Sequence, residues 1–241
     1  MRYRTLIEDL DPELLVRIDA LARDPAFPLD DGVAQVGLPI ASLAAALCRI
    51  DPSTLPGVPG HAAPHRQWSY LAGRLCAERA LELAGSDPGS CVAHRADGSP
   101  GWPSGWTGSI THNAEAASAA AARWTGTFDL GIDAEPIADV QTCSDIVELC
   151  LDATECDLLG TVQERNQLAT VLFCVKEAYY KAVFRSAQRF IDFKEVRAST
   201  LDNRRGWIRL YPVSPSLSHL PTATARWTIR RGTVLSAVWP R

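Results

Sequence analysis

Apolar residues recur at helical spacing most clearly between Arg165 and Phe184, where Leu168, Val171, Leu172, Val175, Tyr179 and Ala182 stand three and four positions apart. This predicts a long helix with one apolar stripe. Glu177 and Lys181, four apart, fall opposite the stripe as neighbours. Lys176 falls at its edge, with its stem packed and its ammonium reaching water. A second helix is expected over Gln67–Ala84, with Leu71, Ala72, Leu75 and Leu83 among its buried positions and Gly85 as its stop. Near the start, Asp11 followed by Pro12 reads as an N-cap with proline at the first helical position. Leu14, Leu15, Ile18, Leu21 and Ala22 then form a stripe that Pro25 and Pro28 end. The stretches 51–64 and 97–108, rich in proline and glycine, read as loops. Two strands are expected after Ser109, one in GSITHNAEAASAAAARW and one in FDLGIDAEP, ended by Pro136, and further strands in WIRLYPV and ATARWTIRRGTVLSAVW. Helices mixed with hairpin-like strands make the chain α+β.

Composition narrows the function classes. The chain has 241 residues, 46% hydrophobic and 22% charged, as in an ordinary globular protein. No apolar run has the length of a bilayer span, and the acidic start lacks the apolar stretch of a signal peptide, so a cytoplasmic protein without a membrane is expected. Seven scattered cysteines with no Cys-x-x-Cys pair argue against a zinc ribbon or a disulfide framework. A net charge of −4 gives no support for nucleic acid as a partner.

Four short elements carry possible chemistry. In the strand FDLGIDAEP, alternation puts Leu130, Ile132 and Ala134 on one face and Asp133 and Glu135 on the other. Two carboxylates so spaced, about 6–7 Å apart at Cα, suit oxygen ligation of a hard cation such as Mg²⁺, although an ordinary solvated acidic face has the same pattern. Glu177 and Lys181 on the long helix read equally as a surface ion pair. His112 in GSITH and Arg66, Arg74 and Arg79 around the second helix are common structural or solvated residues when taken alone. Arginine is nevertheless suited to bidentate phosphate binding.

Their order carries more than any one of them. GSITH, then GIDAEP, then FCVKEAYYKA, preceded by RQWSYLAGR and SPGWPSGWTG, resembles the signature of the 4′-phosphopantetheinyl transferases, in particular the enterobactin- and surfactin-type branch. The resemblance runs from about Arg66 to Phe193, and the first 30 residues read as an extension particular to this chain. It implies two similar α+β halves, 1–125 and 126–241, about a pseudo-twofold axis, with an active site between them. It implies that Asp133, Glu135 and Glu177 hold Mg²⁺ against the pyrophosphate of coenzyme A, and that Lys181 contacts the same phosphates. It places Thr111, His112, Arg66 and Arg74 at the coenzyme A pocket, with His112 and the two arginines near the 3′-phosphate. Thr111 stands where the family usually has serine, and Asp97 where close relatives often have a basic residue, with Arg95 two positions earlier.

The implied reaction is attack by a carrier-protein serine on the β-phosphorus of coenzyme A, releasing 3′,5′-ADP, with Glu177 as the expected base and Glu177 and Lys181 as the catalytic pair. The expected partners are carrier domains of fatty-acid, polyketide or nonribosomal peptide synthases, in secondary metabolism, and the expected state is a monomer. The segment with Arg185, Arg189, Phe190 and Phe193 is expected to dock the carrier, or else to pack its phenylalanines into the core. Competing readings are a coenzyme A-binding regulatory module without transfer and a metal-dependent phosphohydrolase.

Overall fold

The computed structural model describes residues 2–126 and 128–239. They divide into two compact units, one of Met1–Ala26 and Asp30–Trp124, the other of Phe27–Leu29 and Thr125–Arg241. Each packs one long helix on an antiparallel sheet.

In the first unit, α1 (Tyr3–Leu10) and α2 (Pro12–Leu21) precede β1 (Ala34–Pro39), α3 (Ile40–Ala46), α4 (Pro64–Leu83), the short β2 (Ala93–His94) and β3 (Pro100–Gly101), β4 (Trp106–His112) and β5 (Ala116–Arg123). The sheet order is β1-β5-β4. β5 is nearly all alanine, a poor strand former, and its Ala117, Ala119, Ala120 and Ala121 are fully buried. Small side chains there, and Ala72, Gly73, Ala77 and Ala80 on α4, let helix and sheet approach closely. A Cβ on Gly73 would lie 2.8 Å from Ile110 of β4. The stretch expected as one strand from Ser109 is thus a hairpin, closed by Asn113, whose Oδ1 accepts from the backbone N–H groups of Glu115 and Ala116.

Residues 3–21, outside the resemblance, are part of this core: Tyr3, Ile7, Leu14 and Ile18 are buried in it. Asp11 caps α2 as its sequence predicts. Arg2 offers α1 no side-chain cap. Glu78 of α4 does so instead, accepting from the backbone N–H groups of Tyr3 and Arg4 at 2.9 Å each. Arg4 reaches Asp19 with two bonds of 2.6 and 2.8 Å and Glu82 at 3.1 Å, tying α1 to α2 and α4.

The second unit runs β6 (Gly131–Pro136), α5 (Val140–Cys150), α6 (Ala153–Cys156), α7 (Arg165–Ala187), β7 (Val196–Asp202), β8 (Trp207–Pro212), β9 (Ala223–Arg230) and β10 (Thr233–Val238). All strand pairs are antiparallel in the order β6-β10-β9-β8-β7. The long helix starts at Arg165 as expected and ends at Ala187, where Gln188 takes a left-handed conformation. It lies so close to β6 that a Cβ on Gly131 would stand 1.9 Å from the carbonyl oxygen of Ala178. Backbone cannot yield as a flexible side chain can. Gly131→Ala is therefore expected to lose at least about 1–3 kcal/mol of stability in denaturant unfolding, through forced separation of β6 from α7.

No helix among the described residues is long and apolar enough to cross a membrane.

Candidate active site

The alternation read for β6 holds, and the acidic face is the one turned to α7. Asp133 is buried, 3% exposed, and Glu135 is half-buried. The ammonium of Lys181 donates to Asp133 Oδ1 at 2.6 Å and to the carbonyl of Ile132 at 3.2 Å. Glu177, one turn before Lys181, is half-buried. The solvated-face alternative for these four residues is thereby corrected: close packing of α7 on β6 at Gly131 draws them together.

Their charges act on one another. Burial, then repulsion from Asp133 and Glu177, pushes the Glu135 carboxyl up to about 7, against the pull of Lys181. Burial also raises Glu177, with Lys181 partly offsetting it and Asp133 adding to it. For Lys181 burial works downward, but Asp133 and Glu177 outweigh it and raise the ammonium above an ordinary lysine. Among the described residues no three His, Cys, Asp or Glu side chains stand grouped as a metal centre. The donor chemistry still fits a hard divalent cation. The donors are carboxylate oxygens, and burial with mutual repulsion leaves a demand for positive charge that Lys181 meets only in part.

Lys176 departs from expectation. It is 3% exposed, and its ammonium donates to Glu155 Oε2 at 2.7 Å, to the Cys150 carbonyl at 2.8 Å and to the Phe193 carbonyl at 2.9 Å. Arg189 and Arg185, expected to meet a partner, are held at home. Arg189 grips Glu195 through two bonds of 2.8 Å and also reaches Ser216, and Arg185 pairs with Asp129 at 3.1 Å. Phe193 packs beside Phe173, ring centres 5.3 Å apart, whereas Phe190 is 68% exposed. A cavity beside Glu177 is lined by Tyr180, Phe190, Ile191 and Phe193.

In the first unit, Arg66 Nη1 contacts His112 Nε2. Arg66 is exposed and His112 half-buried. Thr111 is adjacent, but strand alternation turns its buried side chain to the other face. Arg74 is not brought to this pair. It is 4% exposed, donates to the carbonyls of Val92 and Ala93 at 3.2 and 2.9 Å, and lies over the Tyr70 ring at 5.1 Å. Its geometry is that of a brace for the 92–94 segment. Tyr70 and His94, 3.4 Å apart through the hydroxyl and Nδ1, were not singled out by sequence. Tyr70 was detectable, since it stands four residues from both Arg66 and Arg74 and so shares their helix face. Asp97 closes a turn, its Oδ1 accepting from the N–H and hydroxyl of Ser99.

Residues 58–122 match the family model described as the 4′-phosphopantetheinyl transferase N-terminal domain, and residues 129–232 match that of the 4′-phosphopantetheinyl transferase superfamily. The 4′-phosphopantetheinyl transferase PptT of Mycobacterium tuberculosis is 32% identical over 180 residues, covering 72% of this chain and 78% of its own. The chain belongs to the 4′-phosphopantetheinyl transferase superfamily. The transferase is also 30% identical to Npt of Nocardia iowensis over 72% of this chain and 82% of that one. It is 28% identical to enterobactin synthase component D of Salmonella typhi over 72% and 71%. Among solved structures, the Helicobacter pylori holo-[acyl-carrier-protein] synthase in complex with coenzyme A matches 45% of this chain and 96% of its own, at 18% identity and a TM-score of 0.36. The family assignment leaves the regulatory-module and phosphohydrolase readings without support.

Proposed function

We propose that this transferase moves the 4′-phosphopantetheine arm of coenzyme A onto a serine of an acyl or peptidyl carrier protein, using Asp133, Glu135, Glu177 and Lys181 at the pyrophosphate and Arg66 and His112 at the 3′-phosphate. The observation that carries the catalytic part is the Lys181–Asp133 ion pair where β6 meets α7, with the Glu135 and Glu177 carboxyls near enough to act on it electrostatically. Mg²⁺ held by Asp133, Glu135 and Glu177 would supply charge stabilisation for the pyrophosphate and the leaving 3′,5′-ADP.

The chain's own groups have separate tasks. Lys181, its proton retained by Asp133, offers a fixed positive charge to the phosphates. Glu177 takes the serine hydroxyl proton directly or through a water. Arg66 and His112 bind the remote phosphate and so orient the substrate. Arg74 shapes that region from behind through the 92–94 carbonyls. The carrier is expected to belong to a fatty-acid, polyketide or nonribosomal peptide synthase, and one chain is expected to act as a monomer.

The decisive assay incubates apo carrier domain with coenzyme A and Mg²⁺ and reads the carrier by mass spectrometry. A stable gain of one phosphopantetheine is expected, and release of 3′,5′-ADP without that gain would sink the reading. Dephospho-coenzyme A should be a poorer substrate than coenzyme A. Arg66→Ala should erase about 1.5–3 kcal/mol of that preference, the worth of a charge-assisted contact. Equal use of both substrates by the parent enzyme would count against Arg66 and His112.

A further inference from the structure

The charge of the chain is unevenly distributed. Net charge is −4, yet no aspartate or glutamate follows Asp202, while Arg204, Arg205, Arg209, Arg226, Arg230, Arg231 and Arg241 do. The sheet of the second unit gathers the described members of this run. The turn carrying Arg204 and Arg205 joins β7 to β8, and the turn carrying Arg231 joins β9 to β10. The N–H of Trp227 donates to the Gly206 carbonyl at 2.8 Å, laying the first turn along β9. Three residues on, about 10 Å at strand rise, β9 ends in Arg230 and the second turn. Both basic turns therefore sit at one end of the sheet.

Faces follow from the register. Ser236 bonds Cys174 of α7, so Trp227, opposite Ser236, also faces α7. Alternation then sends Arg226 and Arg230 to the other face, where Arg209 lies opposite Thr224. Arg204, Arg205, Arg209, Arg230 and Arg231 are exposed. Among these five, within the described residues, only Arg205 has a carboxylate within ion-pair distance, Asp202 at 4.0 Å. The end the two turns occupy is also the end of β6 that carries Glu135: Arg230 pairs with Thr233, Thr233 with Pro136, and Val234 with Glu135, whereas Arg209 lies toward the far end of β9. Two strand spacings, about 10 Å, separate the Arg230 and Pro136 backbones.

We propose that the arginines at the β7–β8 and β9–β10 turns form a docking surface for an acidic carrier domain, which they hold while its serine reaches the Glu135 end of β6. The proposal rests on the transfer reading for its partner. An acidic protein fits better than a nucleic acid, because a long polyanion would meet the net negative charge of the rest of the chain, whereas a small acidic domain meets only the patch. Such exposed charges act mainly on encounter and salt dependence. Arg185 in the last turn of α7 and Arg189 just beyond it are spent on Asp129, Glu195 and Ser216, which leaves this patch as the better charge partner.

The test measures binding of a labelled apo acyl carrier protein without coenzyme A, by fluorescence anisotropy, for the parent, Arg204→Glu/Arg205→Glu and Arg230→Glu/Arg231→Asp. Aspartate is chosen at 231 because that residue has a φ of +50°. Carrier Kd is expected to rise at least tenfold in each pair, with a flatter dependence on NaCl, while the KM for coenzyme A stays unchanged. Glutamine versions of the same positions should show an intermediate rise and guard against misfolding of the reversals. Unchanged carrier affinity in folded variants overturns the proposal. So does unchanged carrier affinity accompanied by lost retention on DNA or on phosphatidylglycerol vesicles, which would give the patch to another polyanion. Transfer followed in parallel by mass spectrometry reports on the reaction itself, so loss of the transfer reading and loss of the docking surface are seen separately.

Discussion

Lys176→Met is expected to lower unfolding free energy by about 3–5 kcal/mol, the cost of leaving a buried charge without its partner. The partner is Glu155, 0% exposed, whose Oε1 accepts from the Ala198 N–H at 2.7 Å and whose Oε2 accepts from the Asp152 N–H at 3.0 Å and from Lys176. The ion pair thus joins α7 to the capping box of α6 and to β7. Removing the ammonium strands the carboxylate, and removing the carboxylate by Glu155→Gln strands the ammonium among two carbonyls. The double variant Glu155→Gln/Lys176→Met should lose less than the sum of the two, since neither charge then remains buried alone. Urea unfolding of the four proteins measures the coupling. Additive losses would mean that the two residues stabilise the fold independently.

The same corner gives a pH dependence. Asp152 is partly buried, which would raise its carboxyl, but bonds from Thr154, Arg197 and the Glu155 N–H hold it down at about 2. An unfolded aspartate titrates near pH 3.9, roughly. A folded value below the unfolded one means that the stabilising share is complete above about pH 4 and lost as pH falls through about 2. Unfolding of Asp152→Asn followed from pH 5 to 2 should therefore show a shallower loss than the parent. Parallel curves would assign the acid sensitivity to other carboxylates.

This corner also shows where sequence reading ends. The periodicity of α7 is legible because its stripe meets one sheet, and β6 is legible because its alternation is uninterrupted by a turn. Spacing alone places Lys176 at a half-solvated edge because nothing local reveals that Glu155, 21 residues earlier, waits for it. Glu78 capping α1 across 75 residues is hidden for the same reason. α5 is not legible in the sequence, although Asp139 accepts from the Thr142 N–H as a regular N-cap, because only Cys143, Ile146 and Cys150 of its 11 residues are buried, too sparse a stripe to stand out. Of the candidate site, the acids and lysine are legible as an ordered set of motifs. Arg74 stands apart from Arg66 and His112 because it is held by backbone carbonyls, which leave no trace in side-chain spacing.

Lys181→Ala and Glu177→Gln should fail in different ways, and the contrast separates catalysis from a surface ion pair. Lys181 binds Asp133 at 2.6 Å, with its side chain 27% exposed, so it is neither fully buried nor a free surface charge. In the proposed role its loss removes the positive charge offered to the phosphates, and turnover should fall on the order of 10²–10³-fold, as when one electrostatic contact to a transition state is lost. Added Mg²⁺ should not recover that fall, because the lost charge is fixed to the protein. Glu177→Gln keeps the shape but removes a negative oxygen and a proton acceptor. Higher Mg²⁺ should then restore cation occupancy, measured directly with Mn²⁺ by electron paramagnetic resonance, yet leave turnover well below the parent. Thermal unfolding controls for folding, since Lys181→Ala also leaves Asp133 buried beside Ile132 without its ammonium. A solvated pair would behave otherwise: either replacement would cost up to about 1 kcal/mol of stability and leave turnover near the parent value. Parent-like turnover in both folded variants would remove Glu177 and Lys181 from the chemistry and leave β6 alone to carry it.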